Sequence, residues 1–290
     1  TPTPTPTPTP IPTPIPTPIP TPIPTPIPSP PPSASGTLPF GLSLLPAANY
    51  STRWTGALYR ANPADLVKQL NVAESNEMKV AVMMVSAAQS RNADGTFSLA
   101  KWKAQVDRYR GLPLDRYVSS QALYIHHLMD QPSCASCWGG TAVPWATVEE
   151  MARYSKSIWP SLPTSVRVAP SKLAEAGVRW TYLDAGLALY NTKMGDAATW
   201  LATQVDQAKQ QGLGLLVGLN LLDGAGVNTA PMTASQIEEF GTILAQEPSA
   251  CAFVPWKYDA SYLSQAGIAA ALDSVATVAR GRTGGPCVMH

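Results

Sequence analysis

Four aspartates stand just behind apolar runs of the sequence, at Asp130, Asp184, Asp223 and Asp259. If those runs are parallel strands of one sheet, their carboxyl ends meet at one rim, and the four carboxylates are collected there. Hydrolysis of a glycosidic bond needs one protonated carboxyl group on the leaving oxygen and one ionised carboxylate as nucleophile or base. The spacing therefore predicts these aspartates as candidate catalytic acid and base.

Side chains suited to sugar binding are predicted in the same loops. Aromatic faces that could stack on sugar rings follow the apolar runs at Trp138, Trp145, Trp256 and Tyr258, and further candidate substrate-binding residues are His126, Gln131 and Asn220. The structural alternative is that a strand-end aspartate caps a helix or binds a loop amide, and Asp259, just before the last predicted helix, is the most cap-like. The tryptophans could equally belong to the core.

The neighbouring histidines His126 and His127 fall on opposite faces of one predicted strand. One is expected to face the inside of the sheet and the other the helices, and a buried histidine with its hydrogen bonds satisfied is the leading interpretation of either. The sequence contains no compact set of ligands with metal-site spacing, so neither a metal nor a cofactor is predicted.

The four cysteines form two predicted disulfides. Cys134 and Cys137 lie in one loop after the third predicted strand, where a local disulfide would stiffen the rim. Cys251 begins the seventh predicted strand and Cys287 follows the last helix, whose end returns to the same side of the sheet, which predicts Cys251–Cys287. Two disulfides imply an oxidising, extracellular setting.

Alternating strands and helices must position these residues. Apolar runs predict strands over residues 42–45, 79–85, 122–128, 166–169, 179–183, 213–219 and 251–256. Helical spacing and caps predict helices over residues 64–77, 99–109, 147–159, 197–210, 233–245 and 262–279, with Thr147 as cap of the third. This order favours an α/β fold, a (β/α)8-type TIM barrel with its eighth strand unplaced. A doubly wound open sheet is the alternative, but no Gly-rich nucleotide loop follows a strand.

An extended tail precedes the barrel. Pro occupies every even position from Pro2 to Pro30, and Thr-Pro-Ile-Pro repeats five times between Thr9 and Pro28. Proline excludes helix and sheet and leaves polyproline II, a rod of roughly 100 Å at about 3.1 Å per residue. Its threonines are predicted O-glycosylation sites, at Thr1, Thr3, Thr5, Thr7, Thr9, Thr13, Thr17, Thr21 and Thr25. The tail is predicted either to space the barrel from another body or to associate with other tails into a fibre.

The amino-acid composition excludes some classes of binding partner. The 290 residues carry a net charge of +1, with 45% hydrophobic and 13% charged residues. There is no basic excess for nucleic acid and no apolar run long enough to span a membrane. Few charges together with many aromatics are typical of secreted carbohydrate-active proteins. We expect a stalk over residues 1–36, a barrel over 37–283 and a C-terminal tail over 284–290.

Two strand-end motifs carry a resemblance to a known family. Leu128-Met-Asp-Gln-Pro132 and Phe253-Val-Pro-Trp-Lys-Tyr-Asp259, with the order of units over residues 38–280, resemble secreted bacterial glycoside-hydrolase-like TIM barrels. The resemblance implies an Asp-Glu-Pro motif with the glutamate as candidate acid, and Gln131 occupies that position here. An amide cannot transfer the catalytic proton.

Three functions follow. The leading one is an extracellular structural or filament-forming glycoprotein, self-associating through its O-glycosylated tail and carrying the barrel as a head. The alternatives are an active secreted glycoside hydrolase tethered by its linker, and a sugar-binding protein without turnover.

Overall fold

Seven parallel strands form one sheet whose spatial order follows the chain from β1 to β7. The computed structural model describes residues 1–2 and 36–289. The strands are β1 (Gly56–Arg60), β2 (Lys79–Met83), β3 (Leu123–Asp130), β4 (Thr164–Arg167), β5 (Ala185–Tyr190), β6 (Gly214–Leu219) and β7 (Ala250–Phe253). Sequential parallel pairing requires a crossover between neighbouring strands, and helices supply most of these crossovers.

Residues 38–45, the closing segment, join the two edges of this sheet. Phe40 forms a parallel bridge with Phe253 of β7, and Ser43 forms one with Leu58 of β1. The Gly41 amide donates to the Phe253 carbonyl at 3.1 Å, and the Leu44 amide donates to the Leu58 carbonyl at 2.6 Å. The sheet is therefore closed into a barrel, and the closing segment takes the place of the eighth strand.

Two predicted strands need correction. The sequence placed the first strand over residues 42–45, inside the closing segment, and predicted no strand where β1 lies, which is why an eighth strand was left unplaced. It also placed a strand over residues 179–183, six residues too early. The amides of Thr181, Tyr182 and Leu183 donate instead to the Glu149 carboxylate at 2.7 to 3.1 Å. Those donors are unavailable to a neighbouring strand, and β5 begins only at Ala185.

The longer helices alternate with the strands and cover the outside of the barrel. They are α1 (Pro63–Ser75), α2 (Ala87–Ser90), α3 (Leu99–Asp107), α4 (Asp115–Ser119), α5 (Trp145–Ile158), α6 (Pro170–Ala174), α7 (Ala197–Gln211), α8 (Ala234–Gln246), α9 (Ala260–Leu263) and α10 (Ile268–Arg280). Asn62 and Ser98 cap α1 and α3 with their side chains. Thr147 does not cap α5, because that helix begins at Trp145 behind Pro144. The last predicted helix is divided into α9 and α10.

The apolar side chains form two cores. The larger one lies between the strands and the helices. The second, the interior cluster, is made of Leu58, Ala81, Met83, Ile125, Ala185, Leu187, Leu216, Cys251, Ala252 and Val254. Nine of its members come from six strands around the barrel axis, and Val254 directly follows β7. Pairs such as Ala81 and Met83 show the alternation expected of side chains on the two faces of a strand. The barrel is filled by side chains below its mouth.

Both ends of the described range 36–289 lie at the amino-terminal ends of the strands. Thr37 bridges Thr283, and Val288 bridges Leu213, the residue that precedes β6. The predicted Cys251–Cys287 disulfide is present here, and the Cys134–Cys137 disulfide closes a loop after β3. Of the predicted tail, only Thr1 and Pro2 are described and both are exposed, so the polyproline II rod and the threonines from Thr3 to Thr25 lie outside the described residues. Among the described helices, none has the length and apolar character needed to cross a bilayer.

Candidate active site at the barrel mouth

The strand ends place a ring of polar side chains above the interior cluster. Leu58 and Val254 belong to that cluster, and strand periodicity puts Arg60 and Trp256, two residues further along, on the same inner side. Arg167 lies two residues after the inward-facing Ser165 on β4 and so faces the same inner side. Asn220 pairs with Trp256 across a parallel bridge. The mouth of the barrel is therefore lined by positive, amide and aromatic groups, with Asp130 at the end of β3 as its carboxylate.

Asp130 is held in a hydrogen-bonded chain that runs down into the barrel. His127 Nε2 lies 3.2 Å from Asp130 Oδ1, and His127 Nδ1 lies 2.9 Å from Ser165 Oγ. An ionised carboxylate only accepts, so Nε2 carries the proton and donates to Asp130, while Nδ1 accepts from the Ser165 hydroxyl when the imidazole is neutral. Ser165 is fully buried at 0% exposure. It orients the histidine and has no access to a substrate, so the three residues do not form a nucleophilic triad.

Arg167 is the second partner of Asp130. Its Nε lies 3.1 Å from Asp130 Oδ1, and its guanidinium lies over the Trp256 ring at 4.0 Å from the centroid. The side chain of Arg167 is only 10% exposed and that of Asp130 is 22% exposed. Burial lowers the pKa of Arg167, and the charge of Asp130 opposes that shift. A buried cation and a half-buried anion thus share one wall of the mouth.

The electrostatics keep Asp130 ionised. Burial by itself would raise the pKa of this carboxyl group, but the hydrogen bond from His127 and the charges of Arg167, His127 and Arg60 together hold it below its usual value. A carboxylate in this state can accept hydrogen bonds, stabilise positive charge or act as a base. It is not a proton donor at neutral pH.

Asp184 lies at the opposite end of the barrel from Asp130. Because the fifth strand is 185–190, Asp184 precedes it, and the predicted placement at a carboxyl end is wrong. The side chain is 1% exposed, accepts from the Thr164 amide at 2.6 Å and pairs with Lys156 Nζ at 2.8 Å. These contacts tie the starts of β4 and β5 to α5.

The remaining two aspartates bond to their own loops. Asp223 Oδ1 accepts from the Asn228 amide at 3.0 Å in the loop after β6. Asp259 Oδ1 accepts from the Tyr262 amide at 2.9 Å and caps α9. The Ser261 hydroxyl and the Tyr262 amide lower the pKa of Asp259 through their hydrogen bonds. Asp259 is therefore a helix cap, the structural alternative that the sequence offered for it.

His126 faces the helix layer, on the side of β3 opposite to His127. Its ring stacks on Trp102 at 5.9 Å between centroids, and its Nδ1 is hydrogen-bonded with Ser155 Oγ at 2.8 Å. Burial, assisted by His127, lowers the pKa of His126 to about 3. The predicted division of the two histidines between the faces is correct, and His126 is a core residue.

Gln131 and Trp138 belong to the loop after β3 that the Cys134–Cys137 disulfide closes. Gln131 is exposed, and its side-chain oxygen lies 3.8 Å from Cys137 Sγ. Trp138 is 2% exposed and donates its indole N–H to the Gln131 carbonyl at 3.0 Å. The tryptophan is therefore a core residue of the loop and offers no free face to a sugar.

Trp256, Asn220 and Tyr258 stay near the mouth. Trp256 is half-buried, with one face against Arg167, and the peptide bond that follows it is cis. The side-chain oxygen of Asn220 is buried without a hydrogen-bond partner in the described part of the chain. Tyr258 is half-buried, and its amide donates to the Ser43 carbonyl of the closing segment at 2.8 Å.

Sequence reasoning missed the two arginines. The search among strand ends favoured carboxylates and aromatics, whereas Arg167 and Arg60 stand inside or at the end of apolar strands. Two-residue periodicity with Ser165 and Leu58 was the signal that could have found them. Metal binding finds no support in the ranges described, where no group of three or more His, Cys, Asp or Glu side chains converges.

Solved structures of similar fold are glycoside hydrolases. A GH30 endoxylanase from Clostridium papyrosolvens C71 matches with a TM-score of 0.56 and 13% identity, over 87% of this chain and 74% of that chain. A GH18 chitinase from Pseudoalteromonas aurantia matches with a TM-score of 0.51 and 12% identity, over 84% of this chain and 100% of that chain. No family model and no curated protein matches by sequence. The likeness is one of fold, and it agrees with the predicted barrel.

Proposed function

We propose that this chain is a carbohydrate-binding protein built on a glycoside-hydrolase-like barrel, with the mouth of the barrel as its sugar site. The observation that carries the proposal is the cluster of Asp130, Arg167 and Trp256 at the carboxyl ends of the barrel, where such folds place their ligands. The glycoside hydrolases that share the fold support the same class of ligand.

Binding without turnover is the form of this function that the geometry supports best. Asp130 supplies one ionised carboxylate, and the position at which the resemblance expects an acid carries Gln131. Asp223 and Asp259 each use Oδ1 to accept from a backbone amide of their own loop or helix. Hydrolysis is the second candidate, favoured by Asp130 itself, since an ionised strand-end carboxylate is the nucleophile or base half of a glycosidase pair.

The test compares two aromatic substitutions on a panel of oligosaccharides. We expect the chain to bind at least one glycan without releasing reducing ends, and W256A to weaken binding tenfold or more because it removes the ring that holds Arg167. Tyr182, an aromatic 39% exposed near the opposite end of the barrel, provides the control, and Y182A should bind as the natural chain does.

Two results would contradict this proposal. Equal binding by W256A and Y182A would place the sugar elsewhere. Release of reducing ends that disappears in D130N would make the protein a hydrolase and would remove the claim of binding without turnover.

For the tail we propose an O-glycosylated stalk in an extracellular setting, a function compatible with two disulfides. The division into a stalk over residues 1–36, a barrel over 37–283 and a tail over 284–290 goes with it. Assembly of tails into a filament is supported by the tetrapeptide repeat alone. Intact-mass measurement would reveal the glycans, and sedimentation of the full chain against residues 36–290 would reveal association.

A further inference from the structure

The charge at the barrel mouth is unbalanced towards the positive. Arg60 and Arg167 both act on Asp130, whose pKa they lower, so two positive charges face this one carboxylate. Arg60 is exposed and forms no ion pair among those residues. Lys257 lies close enough to Asp259 to lower the pKa of that aspartate, so these two charges offset each other. Asp130 can therefore offset only one of the two arginine charges.

Arg167 has hydrogen-bonding capacity that the protein does not use. Its Nε is buried, and the approach to Asp130 at 3.1 Å is an ion pair without hydrogen-bond geometry. Within residues 1–2 and 36–289, its two terminal amino groups make no hydrogen bond either. Burying the Nε donor without a hydrogen bond is costly. The two terminal amino groups are not among the buried unpartnered atoms, so they are open to solvent and available to a ligand that brings acceptors into the mouth.

The stack on Trp256 fixes the plane in which those donors point. The guanidinium lies 4.0 Å from the centre of the indole ring, so its orientation is set before a ligand arrives. A planar guanidinium with free terminal amino groups pairs with a carboxylate or a sulfate through two parallel hydrogen bonds. Neutral sugar hydroxyls can also accept these hydrogen bonds, but they bring no negative charge to offset the guanidinium, and charge-assisted hydrogen bonds are the stronger ones.

Asn220 adds an acceptor beside this donor. Its side-chain oxygen is buried and unpartnered in the described residues, and its backbone bridges Trp256. An amide oxygen requires a donor, which a sugar hydroxyl can supply. Trp256 therefore adjoins both a cation with free donors and a residue with an unpartnered acceptor, and the complementary ligand carries an acidic group and a hydroxyl.

We infer that the glycan bound in the mouth is anionic, with its acidic group on the terminal amino groups of Arg167 and a neighbouring hydroxyl on the side-chain oxygen of Asn220. The inference rests on the proposed sugar site and names the class of sugar that the site takes. A carboxylate on a uronic acid and a sulfate ester share the chemistry that Arg167 recognises.

The test uses pairs of oligosaccharides that differ only in charge. Hexuronate oligomers are compared with their carboxyl-reduced forms, and sulfated oligomers with their desulfated forms, by titration calorimetry at low ionic strength. We expect the acidic member of at least one pair to bind tenfold or more tightly than its neutral member. A preference in the uronate pair alone identifies a carboxylate, and one in the sulfated pair alone identifies a sulfate ester.

Substitutions then assign the preference to a residue. R167Q should bring the ratio of acidic to neutral affinity close to one, whereas R108Q, an exposed arginine that directly follows α3, should leave the ratio unchanged. R60Q removes an exposed charge that reaches the same mouth, and it should lower the ratio in part even if R167Q does not fold.

The outcomes separate this inference from the proposed function. Equal affinity for both members of every pair overturns the anionic ligand and leaves a neutral sugar site standing. Binding of no glycan at all overturns both. A ratio that R167Q and R60Q leave unchanged overturns the role of Arg167.

Discussion

His126 and His127 are consecutive residues with opposite environments, and the difference follows from strand periodicity alone. His127 points to the barrel axis and donates to Asp130, while His126 points outward into a cage of Trp102 and Trp159. Outside the barrel no carboxylate compensates the burial of an imidazolium, so burial dominates and the pKa of His126 falls to about 3.

The lowered pKa of His126 predicts that the free energy of unfolding decreases in acid because of this residue. Between pH 6.5 and pH 3 the unfolded chain protonates this histidine and the folded chain does not, so stability falls as the pH falls through that window. One proton corresponds to a slope of up to about 1.4 kcal/mol per pH unit. Urea unfolding at several pH values should show a flatter dependence in H126F, whatever its absolute stability.

A slope that H126F leaves unchanged would contradict the assignment, because other groups would then carry the acid sensitivity. Ser133→Ala, in the exposed loop after β3, is the control and should keep both the stability and the slope of the natural chain.

At the site, the sequence could predict positions but not partners. Strand alternation correctly separated His126 from His127, and the cap pattern correctly described Asp259. What distinguishes Asp130 from the other aspartates is its contact with His127 of the same strand, β3, and with Arg167 of β4. The contact with Arg167 depends on the register between β3 and β4, which one sequence does not show. Asp184 was misplaced because Arg179-Trp-Thr-Tyr-Leu183 is rich in residues that favour strands.

Among the elements, the closing segment and β5 show what one sequence leaves out. The predicted strand over residues 42–45 lies in the closing segment, but its apolar run did not show that this segment hydrogen-bonds to both β7 and β1. The real β5, Ala-Gly-Leu-Ala-Leu-Tyr, has weak intrinsic strand preference, and it is a strand because β4 and β6 pair with it on both sides. Tertiary pairing decides both cases, whereas the long amphipathic helices were readable from their spacing and caps.

Substitution of Gly41 tests how tightly the closing segment is packed against β1. A Cβ at this position would lie 1.7 Å from the Gly56 carbonyl oxygen, a backbone atom that can move only if the closing segment separates from β1. We expect G41A to lower the free energy of unfolding by about 3 kcal/mol or more. Urea unfolding followed by tryptophan fluorescence measures this loss.

Gly281 provides the matched control for this substitution. A Cβ there meets the nearest atoms at 3.4 and 3.6 Å, which is ordinary contact, and its φ of −73° suits any residue. G281A should stay within about 0.5 kcal/mol of the natural chain. Similar losses in G41A and G281A would show that the closing segment is not tightly paired.

For the whole molecule, the two disulfides should differ in what they contribute. Cys251 and Cys287 are 36 residues apart, whereas Cys134 and Cys137 are 3 apart. By loop-closure entropy the first stabilises the fold by about 4 kcal/mol and the second by about 1.5 kcal/mol. Thermal unfolding of C251S/C287S and of C134S/C137S should show the larger loss in the first pair, and equal losses would contradict the loop-length argument.

Thr37 pairs with Thr283 and Val288 with Leu213, so both ends of the barrel chain emerge on the side away from Arg167 and Trp256. A sensor chip, a fluorescent protein or a particle coupled through either end of the barrel would leave the proposed sugar site facing the medium. An array of such molecules would present its sites outward at uniform orientation. The same polarity makes the chain suited to engineering as a display scaffold, in which loops after β3 and β6 are varied and the attachment point is left untouched.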